Sequence, residues 1–194
     1  MKTRGIVLSA LFAALLAVFS FVQIPIPWSP VPVVLENIVP MLAGALLGPL
    51  YGFFSIFLVI LLTAIGVPML GGSGGISHLL GPTGGYIIAW PFNALLTGLV
   101  LSRLKAKNTV LNFILSFVVI TVFGALFTYV IGVPWLAAVA KMSMSKAMVA
   151  GCYPFLPGDI AKAFVTAVIA TAVRRAYPAG IIGSSSSGVV KLGA

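Results

Sequence analysis

Charged side chains are scarce in this sequence of 194 residues. Lysine and arginine together number 11, aspartate and glutamate together number 2, and charged residues make up 7% of the chain, against about 25% in soluble domains. Hydrophobic residues reach 61%, and the mean hydropathy is +1.22. Because so few charges cannot cover the surface of a soluble protein of this size, the sequence predicts a chain that contacts membrane lipid.

Reactive and metal-binding residues are scarce as well. The sequence has one cysteine, Cys152, and one histidine, His78, which excludes an internal disulfide and a zinc cluster. It has no phosphate-binding motif of the GxxxxGKS or GxxxxGKT type, and no cofactor is predicted. His78 lies near Ser73 and Ser77, so an integral-membrane acyltransferase or hydrolase stays open as an alternative. Such a site would also need an orienting acid and an oxyanion hole.

Uncharged runs of sequence are long. Residues 5–35, 37–102 and 108–140 contain no acid, lysine or arginine, whereas about 20 apolar residues suffice for a helix to cross a bilayer. These runs are apolar on every side and do not alternate as the strands of a membrane barrel do. We therefore predict an all-α integral membrane protein with six transmembrane helices, at about 5–24, 34–47, 50–65, 85–104, 110–131 and 159–176.

The domain organisation follows from these helices. Residues 1–176 are predicted to form one transmembrane domain, and residues 177–194, which are small and polar, a flexible C-terminal tail. A proline-rich connector, PIPWSPVP, is predicted to be extended because its prolines prevent a helix. A short interfacial helix is expected in the mixed segment before the last transmembrane helix.

The positive charges indicate the orientation in the membrane. With six helices, seven bases fall on one side, which the positive-inside rule makes cytoplasmic, together with both termini. Two lysines, Lys141 and Lys146, fall on the outer side. The net charge of +9 is thus read as a topology signal, and no nucleic-acid partner is predicted. The seven bases are Lys2, Arg4, Arg103, Lys105, Lys107, Arg174 and Arg175.

Both acids of the sequence fall near the outer side. Asp159 and Lys162 are three residues apart, hence on one face of the last helix, and ionisable residues at membrane depth suggest function. Together they offer an acceptor and a donor, which suit a ligand with N–H and C=O groups, such as a cyclic urea. The alternative is that Asp159 caps the helix and pairs with Lys162. Glu36 either accepts a ligand N–H or is a solvated residue at headgroup level.

A glycine-rich loop precedes the fourth predicted helix. The stretch GGSGGISHLLGPTGGY has seven glycines in sixteen residues, and glycine permits positive φ and close backbone approach to a ligand. Gly72, Ser73, Gly74 and Gly75 are therefore candidate ligand-binding residues, and a flexible external loop is the alternative. Tyr86 is a further candidate, for stacking on a ligand or bonding to it, unless it belongs to the aromatic belt.

The first predicted helix carries small residues four apart. Ala10 and Ala14 form a stripe of the kind that lets transmembrane helices approach closely. The stripe is predicted to dock a partner subunit, and packing within this chain is the alternative.

Three stretches of the sequence resemble one known family. They are PVPVVLENIVPMLAGALLGPLYG, GVPMLGGSGGISHLLGPTGGY and PFLPGDIAKA, and they resemble the BioY family, the biotin-specific substrate-binding (S) components of energy-coupling factor (ECF) transporters. The resemblance implies six transmembrane helices with a biotin pocket under the outer loops. It also implies that Asp159 and Lys162 contact the ligand. Two positions depart from the family pattern: Glu36 stands where a glutamine is expected, and Leu50 where a base is common.

The function predicted from these observations is biotin uptake by a non-catalytic, multi-pass subunit of the cell membrane. Energy must come from elsewhere, and the resemblance implies a transmembrane coupling (T) subunit and two ATPase subunits as partners, with Ala10 and Ala14 facing the coupling subunit. An S component for another vitamin is the nearest alternative. A channel is disfavoured because the third to fifth predicted helices are mostly apolar.

Overall fold

The computed structural model describes residues 3–104 and 108–176 as a bundle of helices. The long apolar segments form helices because a helix satisfies every backbone N–H and C=O within its own segment. The predicted tail, 177–194, and the predicted topology signals Lys2, Lys105 and Lys107 lie outside the described residues. The helices are α1 (Thr3–Phe19), α2 (Ile38–Leu47), α3 (Pro49–Ala64), α4 (Ile76–Leu79), α5 (Gly84–Arg103), α6 (Thr109–Val119), α7 (Phe127–Val139), α8 (Met144–Gly151) and α9 (Leu156–Ala176).

Within residues 3–104 and 108–176, three helical segments are long and apolar enough to cross a membrane. They are Gly84–Arg103, Thr109–Val139 and Leu156–Ala176. Three shorter apolar helices, α1, α2 and α3, accompany them. Large apolar side chains such as Val18, Leu50 and Val130 are more than 60% exposed, as expected for a surface that contacts lipid.

The segment between α1 and α2 differs from the prediction. The first helix ends at Phe19 and the second begins at Ile38, whereas helices were predicted over 5–24 and 34–47. The reason is a short antiparallel pair, in which β1 (Gln23–Ile24) binds β2 (Val33–Val34). This pairing joins the residues on either side of the proline-rich connector, which we call the β1–β2 arms. Their backbone groups bond to each other, so neither α1 nor α2 includes them.

The fifth predicted helix is longer than expected. A π-helical segment, Ile120–Leu126, joins α6 to α7, so that one helix runs over Thr109–Val139 rather than over 110–131. Pro134 is accommodated inside α7, although proline usually bends or ends a helix. The short helix predicted before the last transmembrane helix is confirmed as α8.

The core of the bundle depends on close backbone contact between α2 and α5. A Cβ atom added at Gly44 would lie 2.4 Å from the carbonyl oxygen of Ala94, and one added at Gly98 would lie 2.6 Å from the backbone of Gly48. Any larger residue at these two positions would push the helices apart. The small residues therefore fix the distance between the two helices that carry Asn37 and Tyr86 at their starts.

The two ends of the bundle differ in chemistry. Near one end, the Arg174 guanidinium group donates to the carbonyl oxygen of Ala45, with Nη2 to O at 2.7 Å, and to that of Leu101 at 3.4 Å. These carbonyls belong to the last turns of α2 and α5, where a cation is favoured. The starts of α2, α5 and α9, including Asp159, lie at the other end, about 22 Å from Arg174 along α9.

Candidate functional site

A cavity of about 240 Å³ lies at the end of the bundle where α2, α5 and α9 begin. Its walls are mostly apolar and aromatic, and its polar groups are few, which is the usual composition of a small-molecule site. The β1–β2 arms, the connector before α2, and the helices α4, α5, α7, α8 and α9 contribute residues to its lining. They include the apolar residues Val31, Ile87, Trp90 and Phe155 and the polar residues Glu36, Asn37, His78, Tyr129, Asp159 and Lys162.

Asp159 is the centre of a hydrogen-bonded cluster in this cavity. The residue is 4% exposed. Its Oδ1 accepts from Asn37 Nδ2 at 2.9 Å and from Lys162 Nζ at 2.8 Å, and its Oδ2 accepts from the Tyr129 hydroxyl at 2.5 Å. Since each carboxylate oxygen can accept two hydrogen bonds, Oδ2 retains one acceptor position for a ligand N–H.

The ammonium group of Lys162 is hydrogen-bonded within the protein. Besides Asp159 Oδ1, its Nζ donates to the carbonyl oxygen of Val34 and to Asn37 Oδ1, each at 2.8 Å. An ammonium group has three N–H donors, so all three are engaged. Lys162 can meet a ligand carbonyl only by giving up one of these bonds. The structure thus brings the predicted pair together and shows that the lysine joins α9 to the connector before α2.

Tyr86 forms part of the cavity wall. The residue is 7% exposed, and its hydroxyl donates to the carbonyl oxygen of Gly151 at 2.9 Å. Its ring meets that of Tyr129 edge to face, with the centroids 6.3 Å apart. The aromatic surface, rather than the hydroxyl group, is therefore what Tyr86 offers to a ligand.

Glu36 lies in the connector between β2 and α2, outside the helices, and lines the cavity. It is 5% exposed, and its Oε2 has no hydrogen-bond partner among the described residues. Burial raises the pKa of the Glu36 carboxyl group to about 8, and the positive charge of Lys162 opposes this rise only in part. The solvated position that the sequence left open for Glu36 is therefore not what the structure shows.

The glycine loop lies beside the cavity. Gly72, Ser73, Gly74 and Gly75 are not among its lining residues, whereas His78, from α4 at the end of the same loop, is. Gly72 has φ of 74° and Gly75 of 96°, so glycine is needed there for the turn itself. The backbone N–H of Gly75 donates to the carbonyl oxygen of Thr63 at 2.6 Å, which ties the loop to the end of α3.

The alanine stripe of α1 is exposed at both positions that the sequence predicts to dock a partner subunit. Ala10 and Ala14 are both exposed on α1, whereas Ala13 is buried against the core. The first two therefore do not pack inside this chain, and the internal alternative applies to Ala13.

Several cavity residues were missed from the sequence. Asn37 adjoins Glu36, and that polar pair before an apolar run was the signal that could have identified it. Tyr129 and Trp90 stand alone in apolar helices and carry no such signal. His78 is notable in the sequence only for its proximity to Ser73 and Ser77, and its place in the cavity comes from the fold of α4.

Comparisons with known proteins show the family of this chain and a solved structure of similar fold. The model of the BioY family matches residues 1–179. The biotin transporter BioY of Rhizobium etli is 36% identical over 182 residues, which cover 92% of this chain and 97% of the relative. That of Lactococcus lactis subsp. cremoris is 37% identical over 176 residues, covering 90% and 92%. The crystal structure of the S-component for biotin from an ECF-type ABC transporter superposes with a TM-score of 0.83 at 35% identity, covering 90% of this chain and 95% of that one.

Proposed function

This chain belongs to the BioY family, and from that premise we propose that it is the substrate-capture subunit of an ECF-type transporter and binds biotin in the cavity around Asp159. Its relatives are biotin transporters, and the structure it resembles is an S-component for biotin. The chain is accordingly a membrane-embedded protein of biotin uptake and not an enzyme.

One observation supports the binding site above the others. A buried carboxylate, held by three protein donors and with one acceptor position left, faces a cavity that is otherwise apolar and aromatic. Biotin presents a neutral ureido ring with two N–H groups and one carbonyl oxygen. An unpaired buried N–H costs about 1–3 kcal/mol, so each ring N–H needs an acceptor once the ring is desolvated, and Asp159 Oδ2 supplies one of them.

The apolar parts of biotin match the apolar and aromatic walls of the cavity. The rings of Tyr86, Trp90 and Tyr129 offer apolar surface to the bicyclic ring and the aliphatic chain of biotin. In this proposal the ligand carboxylate leaves the cavity past His78 toward the backbone N–H groups of Gly72 and Gly74, since backbone N–H groups in a loop can bind an anion. The N–H groups of Ser73 and Gly75 donate to the carbonyl oxygens of Leu70 and Thr63. Lys162 keeps Asp159 and Asn37 in place.

The cavity is proposed to open to the outside of the cell. In this arrangement the six helical segments α1, α2, α3, α5, α6–α7 and α9 cross the bilayer, and both termini are cytoplasmic. Arg103 and Arg174 stand at the ends of α5 and α9 far from the cavity, and bases favour the cytoplasmic side. The short helices are compatible with crossing because membrane thickness and helix tilt vary.

Uptake against a gradient requires partners. The sequence contains no nucleotide-binding motif of the phosphate-loop type, so we propose that a transmembrane coupling subunit and two ATPase subunits supply the energy. The exposed Ala10 and Ala14 of α1 are the proposed contact with the coupling subunit, since small residues allow close helix approach.

Isothermal titration of the purified chain with biotin tests the proposed ligand. We expect saturable binding of one biotin per chain, which an excess of thiamine or riboflavin does not displace. Displacement by either vitamin, with no binding of biotin itself, would assign the chain to another substrate.

A further inference from the structure

The carbonyl oxygen of the ligand still needs a partner in the site as described. A bound ureido ring has a carbonyl oxygen that needs a hydrogen-bond donor once it leaves water. Lys162, the obvious donor, has its three N–H groups engaged with Val34, Asn37 and Asp159. Another group in the cavity must then donate, or the lysine must break a bond to do so.

Glu36 lies in the wall of the same cavity. It is 5% exposed. Its neighbour in the chain, Asn37, bonds to both Asp159 and Lys162, which fixes the backbone of Glu36 next to the cluster. Its Oε2 is buried and has no partner among the described residues, and a buried polar atom without a partner is costly unless a ligand or water satisfies it.

Burial of Glu36 favours its neutral form over the ionised one. The titratable groups that face it across the cavity are His78 from α4, Tyr86 from α5, Tyr129 from α7, and Asp159 and Lys162 from α9. The positive charge of Lys162 is already paired with Asp159 at 2.8 Å. A second carboxylate there would be buried without a countercharge of its own, which is strongly unfavourable, and burial accordingly raises the pKa of Glu36 to about 8.

We propose that Glu36 is a specificity-determining residue that binds the ligand as a neutral carboxyl group and donates a hydrogen bond to the carbonyl oxygen of the ureido ring. The inference rests on the proposed function, because it names a further contact in the same biotin site. It divides the polar recognition between the two acids of the chain: Asp159 accepts from the ring and Glu36 donates to it.

Protonation then controls affinity at alkaline pH. The pKa of Glu36 is raised to about 8, so the group is neutral below that pH and binds without taking up a proton. Above it, Glu36 is ionised in the free protein and must take up a proton to donate. The affinity therefore falls as the pH rises, by about tenfold per pH unit once ionisation is complete. The ligand carboxylate does not titrate in this range.

Isothermal titration with biotin between pH 7 and 9, in buffers of different ionisation enthalpy, measures both the affinity and the proton uptake. For the unaltered chain we expect about tenfold weaker binding at pH 9 than at pH 7, with an uptake of about 0.9 proton at pH 9. For Glu36→Gln we expect binding about two- to fivefold weaker at pH 7, because an amide donates less strongly, with no change up to pH 9 and no proton uptake from this position. For Glu36→Met, which lacks a donor, we expect at least tenfold weaker binding at pH 7.

Three results would overturn the inference. They are the same proton uptake in the unaltered chain and in Glu36→Gln, an affinity of the unaltered chain that rises with pH, and unchanged affinity in Glu36→Met. An absence of proton uptake by the unaltered chain at pH 9 would overturn it as well, and this result needs no variant. A complete absence of biotin binding at every pH would instead contradict the proposed function, so the two failures are distinguishable.

Discussion

At the scale of single residues, the site depends on how the acceptor positions of Asp159 are divided. Asn37, Lys162 and Tyr129 take three of them, and this hydrogen bonding holds the carboxylate in one orientation. A carboxylate that is fixed before binding loses little conformational freedom when a ligand arrives. The rarity of acids identified Asp159 from the sequence, whereas Tyr129 could not be identified because nothing distinguishes it from the apolar residues around it.

Replacing Asp159 tests this division directly. In Asp159→Asn, the side chain loses its charge and part of its acceptor capacity, so biotin should bind at least tenfold more weakly, which is about 1.4 kcal/mol. Isothermal titration measures the affinity, and thermal unfolding in detergent confirms that the variant is folded. Lys146→Gln is the matched control, because it removes a charge from an exposed residue of α8. An unchanged affinity in folded Asp159→Asn would show that the carboxylate does not bind the ligand.

At the scale of helices and strands, the cavity exists because the starts of α2, α5 and α9 are held at one level. The glycine contacts between α2 and α5 set one distance, and Lys162 joins α9 to the carbonyl oxygen of Val34. Apolar runs predicted the long helices well. They did not predict the β1–β2 pair or the π-helical segment, because both depend on partners distant in the sequence or on packing against other helices.

The close contact of α2 with α5 can be tested at Gly98. In Gly98→Ala, the new methyl group would collide with the backbone at Gly48 and Pro49, at 2.6 Å, so the bundle should lose about 1–3 kcal/mol of stability. Gly158→Ala is the control: it lies in α9, and nothing lies within 4 Å of its added Cβ. It should be neutral or slightly stabilising, since alanine favours helices. Equal thermal midpoints for the two variants would contradict the packing described.

The exposed face of α1 carries a different prediction. Ala14→Leu should leave biotin binding unchanged but reduce uptake in cells that express the energising partners, because a larger side chain keeps the helices apart. Ala172→Leu, the same substitution on the exposed face of α9, should leave uptake unchanged. Normal uptake in Ala14→Leu would exclude this face as the contact.

At the scale of the whole molecule, the chain has its two acids near one end of the bundle and its last arginines at the other. Asp159, Glu36 and the glycine loop belong to one end, and Arg174 caps the carbonyls at the other. The distribution of bases along the sequence predicts that the end with Arg174 is cytoplasmic, and this orientation stays a prediction. The positions of Gly72–Gly75 relative to the cavity could not be predicted, since loop conformation depends on hydrogen bonds such as that of Gly75 to Thr63.

The orientation can be measured by cysteine labelling of intact cells. In a Cys152→Ser background, Ser145→Cys on α8 should react with a membrane-impermeant maleimide from outside. Ser102→Cys, near the end of α5, should react only after permeabilisation. Both serines are exposed, so accessibility is matched. The reverse pattern would place the cavity on the cytoplasmic side.

An experimental structure of the chain with biotin bound tests the central claim most directly. The account predicts the ureido ring in the cavity, with one ring N–H at about 3 Å from Asp159 Oδ2 and the carbonyl oxygen within hydrogen-bond distance of Glu36. A ureido ring bound outside this cavity, or one that makes no contact with Asp159, would contradict it.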